Sequence, residues 1–381
     1  MLNFLPSQYS KDEQFPINHN YLRDQFADRQ EIWKKIEEVV IRGDFTLGSA
    51  VDSLEENFAK LLGAKYAIGV GSGTDAIFLS LRALDLQPGD EVITTPFTFY
   101  ATIGAIVTAG GTPVFCDIGD DFNIDASSVR NYISPRTKAI VPVHWSGRPC
   151  NMDKIMEIST ECDIPVVEDA CHSILASSNG KHTGTFGITG CFSFHPLKNL
   201  NVWGDGGIIT TNSEEMYSKI RLLRNHGLKD RDNCAVFAYN SRLDSVQAVV
   251  ATHMLEKIVH ITDSRIKNAK ILDNLLGKIK QVTLPLRENH LIEVFHIYSF
   301  MAEQRDDLQA FLCKNGIDAK IHYPKPMHLQ EAASYLSYKQ GDFPKSEFAS
   351  THTISLPVHE FIQEPDLLFM VEKIREFYEY D

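Results

Sequence analysis

Between Tyr66 and Thr211 the apolar residues follow two habits in turn. Short continuous runs end at Gly, Pro, Asp or Asn, and between them apolar positions recur every three or four residues. The first habit fits strands buried on both faces, the second helices with one apolar stripe. Strands are predicted from Tyr66 to Val70, Glu91 to Thr95, Thr112 to Ile118, Lys138 to His144, Pro165 to Glu168, Gly190 to His195 and Gly206 to Thr211. Helices are predicted from Thr74 to Leu84 and over 101–109, 152–162 and 214–224. Upstream, Ile32, Ile36, Val39 and Val40 stripe a helix from Arg29 to Arg42 that Gly43 ends. Val51, Leu54, Phe58, Leu61 and Leu62 stripe another.

Such strand–turn–helix alternation implies an α/β fold whose mainly parallel sheet is covered by helices on both faces. Ligands of sheets like this sit at the carboxyl ends of the strands. Past Leu243 the pattern changes to one long helix, straight or kinked, reaching about Leu276. An antiparallel segment from Glu293 to Ala302, a helix from Asp306 to Asn315, a strand from Ala319 to Tyr323 and a helix from Pro365 to Tyr378 follow. The expected organisation is an extended N-terminal arm over 1–25, a large domain over 26–260 and a smaller α+β domain over 261–381.

A net charge of −13 argues against nucleic acid or an acidic membrane as partner, yet leaves room for phosphate held by local amides. No apolar run approaches the roughly 20 residues of a membrane span. The first residues lack the basic region and long apolar core of a signal peptide, so a cytoplasmic protein is expected. Seven cysteines are scattered without C-x-x-C spacing. They read as small buried residues in a reducing compartment, with neither a disulfide framework nor a metal site.

Four stretches carry candidate chemistry. Gly71-Ser-Gly-Thr-Asp75 lies between a strand and a helix, where backbone N–H groups and hydroxyls face an anion; a plain turn is the alternative. Thr95 to Thr102 brings aromatic rings, Phe97 and Phe99, to another strand end, where core packing is the ordinary role. Val166-Val-Glu-Asp169-Ala-Cys-His172 ends an apolar strand in two carboxylates, which need a cation or hydrogen-bond donors if buried; Asp169 as a helix cap is the other reading. Finally, Cys191 to Gly207 breaks at Pro196 and presents Lys198 on a loop. A lysine desolvated there has a lowered pKa and becomes a nucleophile for carbonyls.

Taken in order, these motifs resemble pyridoxal-phosphate enzymes of the aspartate-aminotransferase fold type (fold type I), and more closely the sugar aminotransferases of the DegT/DnrJ/EryC1/StrS family. The likeness also runs through Gly43 to Gly48, Arg224-Asn-His-Gly227, Tyr239-Asn-Ser-Arg242, Ile321-His-Tyr-Pro324 and Ser355 to His359. It implies that Lys198 carries pyridoxal 5′-phosphate covalently and moves the proton in catalysis, while Asp169 pairs with the ring nitrogen. It further implies that Phe99 stacks on the ring and that His172 stands near the ring hydroxyl. Gly73, Thr74 and Ser193 would hold the phosphate. Asn240, with Arg242 beside it, would reach the phosphate from a neighbouring subunit, because a segment leaving for the long helix is not expected to fold back onto its own cradle.

The implied protein is a homodimer with shared sites that moves an amino group from L-glutamate to a keto-sugar, most often nucleotide-linked in this family. One branch of the family has histidine in place of this lysine and dehydrates sugars; a sugar dehydratase, or a regulator that keeps the fold, is the alternative function. His144-Trp-Ser-Gly147 departs from the common pattern and implies a different sugar pocket, and Trp203 is bulkier than expected.

Overall fold

The computed structural model describes residues 15–19 and 21–379. The first half is built from α1 (Leu22–Gln25), α2 (Arg29–Arg42), α3 (Ser49–Leu62), β1 (Tyr66–Val70), α4 (Gly73–Ala83), β2 (Glu91–Thr94), α5 (Tyr100–Thr108), β3 (Thr112–Phe115), β4 (Thr137–Ile140) and α6 (Met152–Cys162). Next come β5 (Val167–Asp169), β6 (Ser177–Ser178), β7 (Lys181–His182), β8 (Thr189–Ser193), β9 (Gly207–Thr211), α7 (Glu214–Leu223), α8 (Ser245–Leu255) and α9 (Ile258–Leu276). The chain closes with β10 (Val282–Thr283), β11 (Leu291–Ile292), β12 (Tyr298–Ala302), α10 (Arg305–Lys314), α11 (Pro344–His352), β13 (Thr353–Leu356) and α12 (Glu364–Glu379).

Two sheets, β1-β9-β8-β5 and β4-β2-β3, meet edge to edge through the parallel bridges Ile140–Val166 and Val143–Asp169. Parallel pairing holds from β8 through β5, β4 and β2 to β3. Only β9 is reversed, being antiparallel to both β1 and β8. The reason is local: no helix intervenes between β8 and β9, so the chain turns back directly. That turn-back carries Lys198.

One face of the sheet packs on α2, α3 and α8 through Phe58, Phe192, Phe194, Val250 and Ile258. The other packs on α4 and α7 through Ile68, Ile77, Leu81, Ile209 and Ile220. A second core gathers Leu272, Tyr298, Phe300, Leu312, Leu356 and Ile374 around the antiparallel strands β10-β12-β13. Phe97, Phe122, Trp145 and Tyr323 form an aromatic cluster of their own, shared between the two halves of the sequence.

Four expectations change. The long helix breaks at Glu256 and Lys257, between α8 and α9, where Asp28 draws in both His253 and Lys257. Ala319 to Tyr323 makes only an isolated bridge, Lys320 to Ser355, and Tyr323 takes φ 56°. The antiparallel segment shortens to β12, because Val294 and Ile297 bond instead to Gly147 and Ser146. Of the expected arm, residues 1–14 and 20 lie outside the described residues, and Leu22–Gln25 is a helical turn, not extended chain.

Candidate active site

Asp169 and Glu168 close β5 and are both buried, yet they do different work. Glu168 accepts from the amides of Gly184 (2.8 Å), Phe186 (2.7 Å) and Gly187 (2.7 Å) and from His144 Nε2 (3.0 Å). It is consumed in tying down the loop before β8. Asp169 Oδ2 accepts from Thr102 Oγ1 (2.7 Å), itself bonded to Thr98 Oγ1 (2.9 Å), and Oδ1 accepts from the Cys171 amide (3.2 Å). A buried carboxylate with so few donors is complete only with a cation or N–H⁺ beside it.

Lys198 lies half-buried on the turn-back between β8 and β9. The turn-back is pinned along its length. Lys198 N donates to His195 O (2.8 Å), Asn199 Nδ2 to Val294 O (3.2 Å) and Asn201 Nδ2 to both Gln25 Oε1 (2.7 Å) and Pro196 O (2.6 Å). Trp203 explains its bulk by packing at 5.0 Å from Trp33 and 5.7 Å from Phe26, with its carbonyl held by Gln247 Nε2. Desolvation lowers the Lys198 pKa below the usual lysine range, against the opposing pull of Cys171 and Asp169. More of the neutral, nucleophilic amine is therefore present near neutrality.

Lys198 shares a cavity with Ala170, Cys171, His172, Phe192 and Ser193. His172 is held well below its ordinary pKa by burial and by the positive charge of Lys198, so it is neutral. His322 and Tyr323, quoted in the family motif but given no role there, also reach this site electrostatically. Burial, then His19 and Lys198, lowers His322 to about 3, and burial next to Asp169 raises Tyr323.

Opposite stands the start of α4. Ser72 caps it, its hydroxyl accepting from Asp75 N (3.0 Å), and Gly73 and Thr74 open the helix, where N–H groups have no acceptor within the helix itself. A Cβ on Gly73 would stand 2.6 Å from Ser193 Cβ and 3.0 Å from Cys171 Sγ, so only glycine lets Ser193 come this close. Phe99 caps α5 and is half-exposed, 5.2 Å from Tyr100 and 6.3 Å from Tyr323. Asn240 is exposed, and Arg242 donates to Asn225 Oδ1 (3.0 Å). Contrary to expectation, this segment does run along its own cradle: Gly71 N donates to Ser241 O (2.9 Å), and Val70 pairs with Arg242.

An anion cradle at a helix start, a buried under-satisfied carboxylate and a desolvated lysine fit pyridoxal phosphate in its three demands: phosphate, ring nitrogen and aldehyde. Residues 27–375 match the DegT/DnrJ/EryC1/StrS aminotransferase family. The chain belongs to that family. It is a pyridoxal-phosphate-dependent aminotransferase of fold type I. The chain is 38% identical, over 93% of its length and 96% of the relative's, to the UDP-N-acetyl-3-dehydro-α-D-glucosamine 3-aminotransferase of Acidithiobacillus ferrooxidans. A Geobacillus stearothermophilus protein named pleiotropic regulatory protein is 41% identical over 92% of this chain and 95% of its own. Among solved structures, S. venezuelae DesV superposes with a TM-score of 0.93 at 32% identity, covering 95% of this chain and 98% of that one.

Proposed function

We propose that this aminotransferase transfers the amino group of L-glutamate to a nucleotide-linked keto-sugar as a cytoplasmic homodimer. The observation that carries the reading is the buried Asp169 acting electrostatically on a desolvated Lys198. The relatives with sugar substrates in their names support the sugar, and a chain whose described residues include no helix long and apolar enough to cross a membrane agrees with the compartment. The two separate cores support a large domain over 26–260 and a small one over 261–381.

In this reading Lys198 would hold the cofactor through its Nζ, and the same Nζ, once free, would move the proton at the donor's α-carbon. Pyridoxal phosphate supplies the electron sink for the carbanion. Asp169 keeps the ring nitrogen protonated, with Thr102 fixing the carboxylate's orientation. His172 would stand by the ring hydroxyl, Phe99 would cover the ring, and Gly73, Thr74 and Ser193 would receive the phosphate. Asn240 and Arg242 complete the phosphate end of the partner's site. A histidine in place of Lys198 marks the dehydratase branch, and lysine here favours transfer.

The test is direct. Purified protein loaded with cofactor should lose its visible band on adding L-glutamate and release 2-oxoglutarate, and a nucleotide-linked keto-sugar should restore the band. A band that L-glutamate leaves unchanged overturns the donor; a band that only free sugars restore overturns the acceptor class.

A further inference from the structure

Ser146 is not a glycine, yet it holds φ 64°, ψ 0°, in the left-handed region that side chains avoid. Such a conformation persists only where the surroundings enforce it, and it concentrates at functional sites. Here the enforcement is visible. Ser146 Oγ donates to Ile297 O, and Ile297 N returns a bond to Ser146 O (3.3 Å). On one side Asn123 Oδ1 accepts from Trp145 N (2.9 Å); on the other Val294 N donates to Gly147 O (3.0 Å). The turn cannot relax sideways either, since a Cβ on Gly147 would stand 2.7 Å from Val294 Cγ2 and 3.0 Å from His172 O.

The outcome of this enforced turn is one contact. The Ser146 backbone N–H points at His172 Nδ1, 3.3 Å away. A backbone amide only donates, so Nδ1 must accept, and a neutral imidazole then carries its proton on Nε2. The charged and titratable groups around His172 do not favour a second proton: Lys198 and His322 act on it electrostatically, and the His296 ring lies 4.4 Å from it. Serine is what the anchor requires. An aliphatic side chain at position 146 has no donor for the Ile297 carbonyl.

We propose that Ser146 is a positioning residue of the active site. Its left-handed turn commits His172 to the Nε2–H tautomer, so that His172 offers a hydrogen-bond donor, never an acceptor, to the ring oxygen of the cofactor. The second half rests on the placement of His172 proposed above.

Long-range proton–nitrogen correlation spectra of the holoenzyme labelled with nitrogen-15 histidine, and of the same protein stripped of cofactor, read the tautomer directly. The His172 signal is identified by its loss in His172→Gln. Expected is a protonated Nε2 and a bare Nδ1 in both forms; a proton on Nδ1 overturns the proposal. Ser146→Ala keeps the amide but loses the anchor and strains the turn, and it should add a second His172 species. Ser146→Gly, free to take this φ, should return the wild-type signal. An Ala variant indistinguishable from wild type overturns the role of the anchor. The placement of His172 is tested separately by the pH at which the bound cofactor's visible band changes. His172→Leu should raise that pH by about one unit, the worth of one hydrogen bond to the ring oxygen, and His172→Gln should not. A midpoint unmoved by Leu overturns the placement while leaving the tautomer result intact.

Discussion

The two walls of the site differ in how finished they are. On the side of Asp169, His172 and Lys198, the functional groups are buried or half-buried and stand on backbone pinned from several directions. On the side of Thr74, Phe99 and Asn240, the same site opens to solvent. Next to it the excursion from Asn225 to Asn240 carries Phe237 99% exposed, with Val236 and Tyr239 also uncovered. Apolar side chains exposed that far beside a binding site mark a contact surface. The difference fits the proposed homodimer, in which one chain would set the reactive chemistry and a second would complete the phosphate end.

The sharpest way to break this comparison mixes two inactive homodimers. Lys198→Ala should lose at least about 10²–10⁴-fold in turnover while still taking up cofactor through the cradle, since anchor and proton shuttle are distinct from phosphate binding. Borohydride should fix cofactor to the Lys198 peptide alone in the wild type. Asn240→Ala should be clearly impaired in its own right. If the walls belong to different chains, equal mixing with subunit exchange recovers roughly a quarter of wild-type activity, because half the dimers hold one intact site. Proven exchange without recovery means that Asn240 serves its own chain, consistent with Ser241 lying against Gly71.

A finer contrast lies within the finished wall, between neighbours on β5. Asp169→Asn preserves shape but no longer favours the protonated ring nitrogen, so kcat should fall about 10–100-fold, one to two pKa units' worth, with stability nearly unchanged. Glu168→Gln should do the reverse. Loss of its charge-assisted amide bonds costs about 2–3 kcal/mol, seen as a lower urea midpoint, while the refolded enzyme keeps most of its kcat. Equal effects on both quantities would dissolve the distinction between a reacting and a fastening carboxylate.

The smallest effect concerns the open wall. Phe237→Asp should weaken self-association about tenfold, or ~1.4 kcal/mol, as measured by sedimentation, with the monomer's fold intact. Unaltered association would remove Phe237 from the contact surface.

Much of this was legible beforehand, and what was not has one cause. Runs such as Tyr66 to Val70 and stripes such as Met152 to Cys162 lie where periodicity puts them, because burial on a sheet is a local demand. Lys198 and Ser193 line one cavity, Gly73 packs against Ser193, and Asp169 acts on Lys198 electrostatically. The failures are residues pulled by distant partners. Asp28 breaks a helix more than 200 positions later, and the turn at Ser146 and Gly147 strips pairing from Val294 to Ile297. Thr102 carries no expected role for the same reason, and Ser146 is expected only to alter a sugar pocket. Their signal was an unremarkable hydroxyl, and their meaning lies in Asp169 and Ile297, neither near in sequence.

The chain's three tryptophans give this architecture an optical side. Trp203 ends the Lys198 turn-back against the half-exposed Trp33, and the buried Trp145 adjoins Ser146. Each indole thus stands on, or against, one of the loops that carry Lys198 and face His172. Indole fluorescence should therefore come from both a dry ring, Trp145, and a wet one, Trp33. A bound chromophore absorbing in that emission band would quench them by energy transfer. Cofactor loading and release are therefore visible in unlabelled protein, in real time and without turnover.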